Sequence, residues 1–121
     1  KQKRDWIYVE DNASAIIAAI CNGHVGNNYN IGSRNTLMNI DLVKMICRLL
    51  EKKYPIKKNH KIKKQINSYK SLIEYVKDRP GHDMYYSIDP TKIEKELNWK
   101  AQISLEDGLK KTIDWYLKEY A

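Results

Sequence analysis

The chain has 121 residues, 42% of them hydrophobic and 31% charged, with 22 Lys plus Arg against 15 Asp plus Glu and a formal net charge of +7. That length supplies one hydrophobic core and not two. Its longest apolar stretch, Ala13 to Cys21, falls far short of the roughly 18–20 residues of a membrane helix, and no secretory-type segment opens it, so a soluble cytoplasmic protein without a membrane partner is expected.

In chain order, RDWIYV from Arg4 reads as a short strand. Ala13, Ile16, Ile17 and Ile20 then follow the i, i+3, i+4, i+7 template of an amphipathic helix that stops near Gly23. NNYNIGS, Asn27 to Ser33, predicts a second strand. Asn39 stands as an N-cap before a second helix with Leu42, Val43, Ile46, Leu49 and Leu50 on one face. Cys21 and Cys47 fall inside these helical patterns without C-x-x-C spacing, which predicts reduced structural thiols and no metal site.

A lysine-rich loop over about 52–70 follows, and KKYPIKKNHKIKK, Lys52 to Lys64, carries seven lysines and no acid. Such a run could serve a basic nucleic-acid-binding module. It lacks the aromatic ladder on which bases stack, so a solvated loop is expected instead, and no nucleic-acid partner. SLIEYVKD, Ser71 to Asp78, predicts a third strand. Asp89 with Pro90 opens a short helix carrying Ile93, Leu97 and Trp99, and Ser104 to Asp107 has the form of a capping box before a last helix with Leu109, Ile113, Tyr116, Leu117 and Tyr120. The order β-α-β-α-β-α-α predicts an α/β domain with a small, mostly parallel sheet and about four helices.

The third predicted strand runs into Asp78-Arg79-Pro80-Gly81-His82-Asp83. Arg79 offers five fixed donors suited to phosphate oxygens, Pro80-Gly81 sets a sharp turn, and His82 adds a donor or acceptor. The end of a strand is where α/β sheets bind ligands. The competing expectation is an Asp78–Arg79 ion pair on a plain turn. For Arg4, the second candidate, a structural salt bridge with Asp5 or Asp11 is one expectation, and its candidacy as a binding residue comes from the family resemblance below. Asn39 is the third, because free N–H groups at a helix start favour an anionic oxygen.

Three blocks carry a family resemblance: RDWIYVEDNA (Arg4–Ala13), YNIGSRNTLMNIDLV (Tyr29–Val43) and IEYVKDRPGHDMYYSIDPTKIEKELNW (Ile73–Trp99). The first is similar to a segment of extended short-chain dehydrogenases/reductases acting on nucleotide sugars. Together with LEDGLKKTIDWYL the blocks resemble the dTDP-glucose 4,6-dehydratase family. The resemblance implies that Arg4, Asn39, Asp78, Arg79, Pro80, Gly81 and His82 bind the nucleotide sugar dTDP-glucose, and that the intact enzyme is a homodimer. It implies an NAD-dependent lyase that oxidises the sugar at C4, eliminates water across C5 and C6 and returns the hydride to C6. A related enzyme using UDP or GDP sugars is the alternative.

The NAD turn and the catalytic Tyr-x-x-x-Lys of that superfamily have no counterpart here. Gly23-x-x-Gly26 reads as a helix stop, and Tyr54-x-x-x-Lys58 is disqualified by Pro55, which disfavours helical geometry at Tyr54. Residues 1–121 are therefore expected to be a single partial domain, the carboxyl-terminal substrate lobe. NAD and all catalytic residues would lie in an amino-terminal lobe, and the fragment alone would be inactive.

Overall fold

The computed structural model describes residues 2–120. The elements are β1 (Lys3–Asp5), α1 (Val9–Asn22), β2 (Thr36–Met38), α2 (Asn39–Lys53), α3 (Thr91–Glu96) and α4 (Leu105–Tyr120), with 3-10 turns at Ile56–Lys58 and Tyr69–Leu72 between α2 and α3. The α-helices match the expected number.

The sheet does not match. β1 and β2 pair antiparallel, with Lys3 opposite Met38, Arg4 opposite Leu37 and Asp5 opposite Thr36. Parallel pairing among the described residues is limited to an isolated bridge between Lys3 and Tyr85. The expected mostly parallel sheet is thus corrected to a small antiparallel pair, because two predicted strands take other conformations. In the first, the end of the 27–33 stretch is held by side-chain oxygens: the Asp5 carboxylate accepts from the Ser33 amide at 2.9 Å and the Asn35 amide at 2.9 Å. Those amides are then unavailable to a ladder. In the second, the 71–78 stretch begins inside the turn closed by Ser71 N–H donating to the Ser68 carbonyl at 3.1 Å, which the Ser71 hydroxyl reinforces at 2.7 Å.

An apolar stripe ordinarily faces the core, yet on α1 Ile16, Ile17 and Ile20 are 45%, 60% and 77% exposed. The opposite face is buried, through Asp11 and Ala15. Two polar ties orient the helix this way: the Asp11 carboxylate accepts from the amides of Gln102 (3.1 Å) and Ile103 (2.9 Å), and the Trp99 indole N–H donates to Ser14 Oγ at 2.9 Å. Ala15 is small enough for Ile93 of α3 and Trp99 to pack directly against it, forming one core with Ile7, Ala18, Tyr29 and Ile31 at its margin. Leu42 and Leu49 of α2, Ile56, Tyr69 and Ile113 of α4 are also buried.

The capping box at Ser104 acts as read from the sequence, whereas the N-cap of α3 is Pro90 and not the expected Asp89. Ser104 Oγ accepts from the Asp107 amide at 3.2 Å and donates to the Asp107 carboxylate at 2.8 Å. Asp89 accepts from the Thr91 amide at 3.0 Å, one residue ahead of Pro90.

Candidate functional site

Alternation along an extended strand puts Gln2 and Arg4 on the same face of β1. Its backbone holds a distant segment alongside, since Lys3 N–H donates to the Met84 carbonyl at 2.9 Å and Tyr86 N–H to the Lys3 carbonyl at 3.1 Å. That pairing carries the 78–83 loop back over the strand. Arg4 Nη2 lies 3.0 Å from His82 Nε2 and donates to the Asp83 carbonyl at 2.8 Å, while Nη1 donates to the Lys3 carbonyl at 2.8 Å. The guanidinium carbon sits 4.5 Å from the centre of the Tyr86 ring. Arg79 Nη2 approaches the same His82 Nε2 at 3.1 Å. A guanidinium can only donate, so Nε2 is the one atom on which both approaches converge as an acceptor.

Asp78 and Asn39 belong to the same assembly through Gln2. The Gln2 amide nitrogen donates to Asp78 Oδ2, Asn39 Nδ2 donates to Gln2 Oε1 at 3.4 Å, and the Asn39 backbone N–H donates to the Gln2 carbonyl at 3.0 Å. Asn39 is not the N-cap of α2. It is the first helical residue, Met38 takes the cap position, and the cap makes no side-chain bond. The antiparallel pairing explains the shift, because β2 runs directly into α2 and the strand's last residue becomes the cap. Asn39 Oδ1 is buried without a partner. Asp78 uses its other oxygen to accept from the Arg79 amide at 2.8 Å, so it shapes the backbone and leaves the Arg79 guanidinium unneutralised. Pro80 and Gly81 form the exposed turn, with Gly81 at φ +71°, a conformation that glycine adopts at little cost.

The four arginines divide into two kinds. Arg34 pairs with Glu94 at 3.0 Å and Arg48 with Glu106 at 3.2 Å. Arg4 and Arg79 have no carboxylate within 4.0 Å among the described residues. Arg4 forms neither of the ion pairs offered by Asp5 and Asp11, whose carboxylates are engaged with backbone amides. The Tyr86 hydroxyl is held above its ordinary pKa by its bond to Asp83 and by that residue's charge, with Arg4 and Arg79 opposing. The phenol therefore stays protonated near neutrality.

Sequence reasoning missed Gln2 and Tyr86. The strand period carried a signal for Gln2, two residues from Arg4. Tyr86 carried none, because its position depends on a pairing between segments about eighty residues apart.

Gly23 and the Tyr54–Lys58 pair do not form a dinucleotide seat. A pyrophosphate seat needs glycines that open a helix, where free N–H groups and the positive dipole end meet the phosphates. Gly23 instead closes α1, donating to the Ala19 carbonyl at 2.9 Å, and a Cβ there would lie 2.3 Å from that oxygen. Tyr54 lies just beyond α2, and its hydroxyl donates to the Lys58 carbonyl at 2.9 Å, so Tyr54 and Lys58 share no helical face.

A family model described as GDP-mannose 4,6 dehydratase matches residues 1–112. The chain belongs to the GDP-mannose 4,6 dehydratase family. Relatives of this family member include the dTDP-glucose 4,6-dehydratase of Haemophilus influenzae, 48% identical over 117 residues that make up 97% of this chain and 33% of the relative. Among solved structures, a dTDP-glucose 4,6-dehydratase from Bacillus anthracis in complex with NAD superposes with a TM-score of 0.75 at 34% identity, covering 98% of this chain and 32% of that one. One from Streptomyces venezuelae with NAD bound gives a TM-score of 0.78 at 31% identity, covering 97% of this chain and 31% of that one. The chain thus spans about a third of the length of the relatives it matches.

Proposed function

We propose that the chain is the nucleotide-sugar-binding part of a dTDP-glucose 4,6-dehydratase. The observation that carries this reading is the convergence of Arg4 and Arg79, two guanidiniums without carboxylate partners, on the one acceptor atom His82 Nε2. Two cations held this close repel each other, and an anionic ligand with oxygens within reach of both relieves that repulsion. A diphosphate has the charge and the spacing of acceptors for the task. Arg4 and Arg79 neutralise it, Asn39 and His82 orient the ligand, and Asp78, Pro80 and Gly81 give the loop its shape. The names of the relatives favour dTDP-glucose as the nucleotide sugar.

No group in the described chain is arranged for hydride transfer or dehydration, so NAD and the catalytic residues belong in this reading to an amino-terminal lobe. Residues 1–121 contribute grip on the non-reacting end of the substrate, and that binding energy positions the sugar. Steady-state kinetics of the intact enzyme test the assignment. Arg4→Ala and Arg79→Ala each remove charge-assisted hydrogen bonds and should raise the KM for dTDP-glucose about tenfold or more. Unchanged KM in both variants overturns it.

A further inference from the structure

No partner of the Arg4 guanidinium carries negative charge: they are the Tyr86 ring, His82 Nε2 and the carbonyl oxygens of Asp83 and Lys3. A carboxylate in any of these places would fix the side chain and also cancel its charge. Partners without negative charge fix it and leave the charge for a ligand. The three hydrogen bonds lie around the edge of the guanidinium, and the ring supports its carbon from the face. Facial contact of this kind attracts a cation through the ring quadrupole, by an amount that grows as water is excluded.

The ring is itself held in place. Its backbone N–H is tied to the Lys3 carbonyl, one residue from Arg4, and Arg4 in turn donates to the carbonyl of Asp83 in the same segment. The backbone pairing of Met84 and Tyr86 with Lys3 thus gives the aromatic ring a defined position relative to β1. Arg79 has no such plate. Among the contacts of the described residues, its guanidinium is bonded to His82 alone.

We propose that Tyr86 is a positioning residue for nucleotide binding: its ring holds the Arg4 guanidinium as a preorganised, uncompensated cation aimed at the diphosphate. This inference rests on the diphosphate reading of the site. Tyr86 acts through Arg4 and need not touch the substrate. Without the ring, Arg4 has to be ordered by the ligand itself, and affinity falls by the cost of that ordering.

The test is a double-mutant cycle on the intact protein, with the dissociation constant for dTDP measured by calorimetry. Tyr86→Leu should bind dTDP roughly three- to thirtyfold more weakly, the range of a cation–π contact. Tyr86→Phe, which keeps the ring and loses the hydroxyl, should stay within about threefold of wild type. In an Arg4→Ala background, Tyr86→Leu should have no further effect. If Arg4→Ala itself binds dTDP like wild type, the diphosphate reading fails. If Arg4→Ala weakens binding and Tyr86→Leu does not, the positioning role is refuted and the site reading survives. Equal losses from Tyr86→Leu with and without Arg4 would refute it too, as would a Phe variant as weak as the Leu variant. Should the Leu variant fail to fold, Tyr86→Gln, which also removes the ring from this exposed position, takes its place in the cycle with the same expected and refuting outcomes.

Discussion

Asp11→Ala offers the sharpest check on how the fold is oriented. Asp11 is 4% exposed, and its two carboxylate oxygens accept from the amides of Gln102 at 3.1 Å and Ile103 at 2.9 Å. Hydrogen bonds to a charged group contribute about 1.5–3 kcal/mol each, so losing both from a dry site would cost about 3–6 kcal/mol. Gln102 is exposed, so its amide regains water in the variant, and the expected loss settles at about 3 kcal/mol. Equilibrium urea denaturation measures it as a lower midpoint at unchanged slope. Glu10→Ala is the control for charge in the first turn of α1. Glu10 is two-thirds exposed and lies 3.9 Å from Lys111, and the variant should change stability by less than about 1 kcal/mol. An Asp11→Ala loss below 1 kcal/mol, or one no larger than that of Glu10→Ala, would show that the Asp11 tie does not decide which face of α1 is buried.

Further outcomes bear on function and stability. The isolated 121-residue chain should show no dehydratase turnover on dTDP-glucose even with NAD added, and measurable product would overturn the placement of catalysis outside it. The carboxyls of Glu94 and Glu106 are held below their ordinary 4.5 by bonds from Arg34 and Arg48, and those of Asp89 and Asp107 below 3.8 by bonds from Thr91 and Ser104. With folded pKa values depressed, the unfolded state takes up protons first, so their stabilisation is present above the ordinary values and is lost as pH falls through the depressed ones. The urea midpoint should be flat near neutrality and drop in that acidic window, and a midpoint rising there would contradict the sign. Gly81→Ala places a side chain at φ +71° in open space, so its cost is backbone strain of about 1–2 kcal/mol with a matching rise in KM.

Helix positions were legible because they rest on local chemistry. Ser104 finds Asp107 three residues away, and Leu42 and Leu49 recur at helical spacing on α2. Residue types at the site were legible too, since DRPGHD holds a turn, a guanidinium and an imidazole in one loop. The 27–33 and 71–78 strands were misread because β-like composition there lost to side-chain bonds from Asp5 and Ser71 that no propensity encodes.

By itself, then, the sequence determined the helices, the capping box at Ser104 and the residue types of the DRPGHD loop, all set by interactions within a few residues. Only the tertiary structure decided which face of α1 is buried, that Tyr86 lies under Arg4, and that Arg4 and Arg79 meet at His82. The reason is physical. The burial of α1 and the seating of Tyr86 and His82 at Arg4 depend on contacts between segments about eighty residues or more apart, which no local pattern of residues encodes.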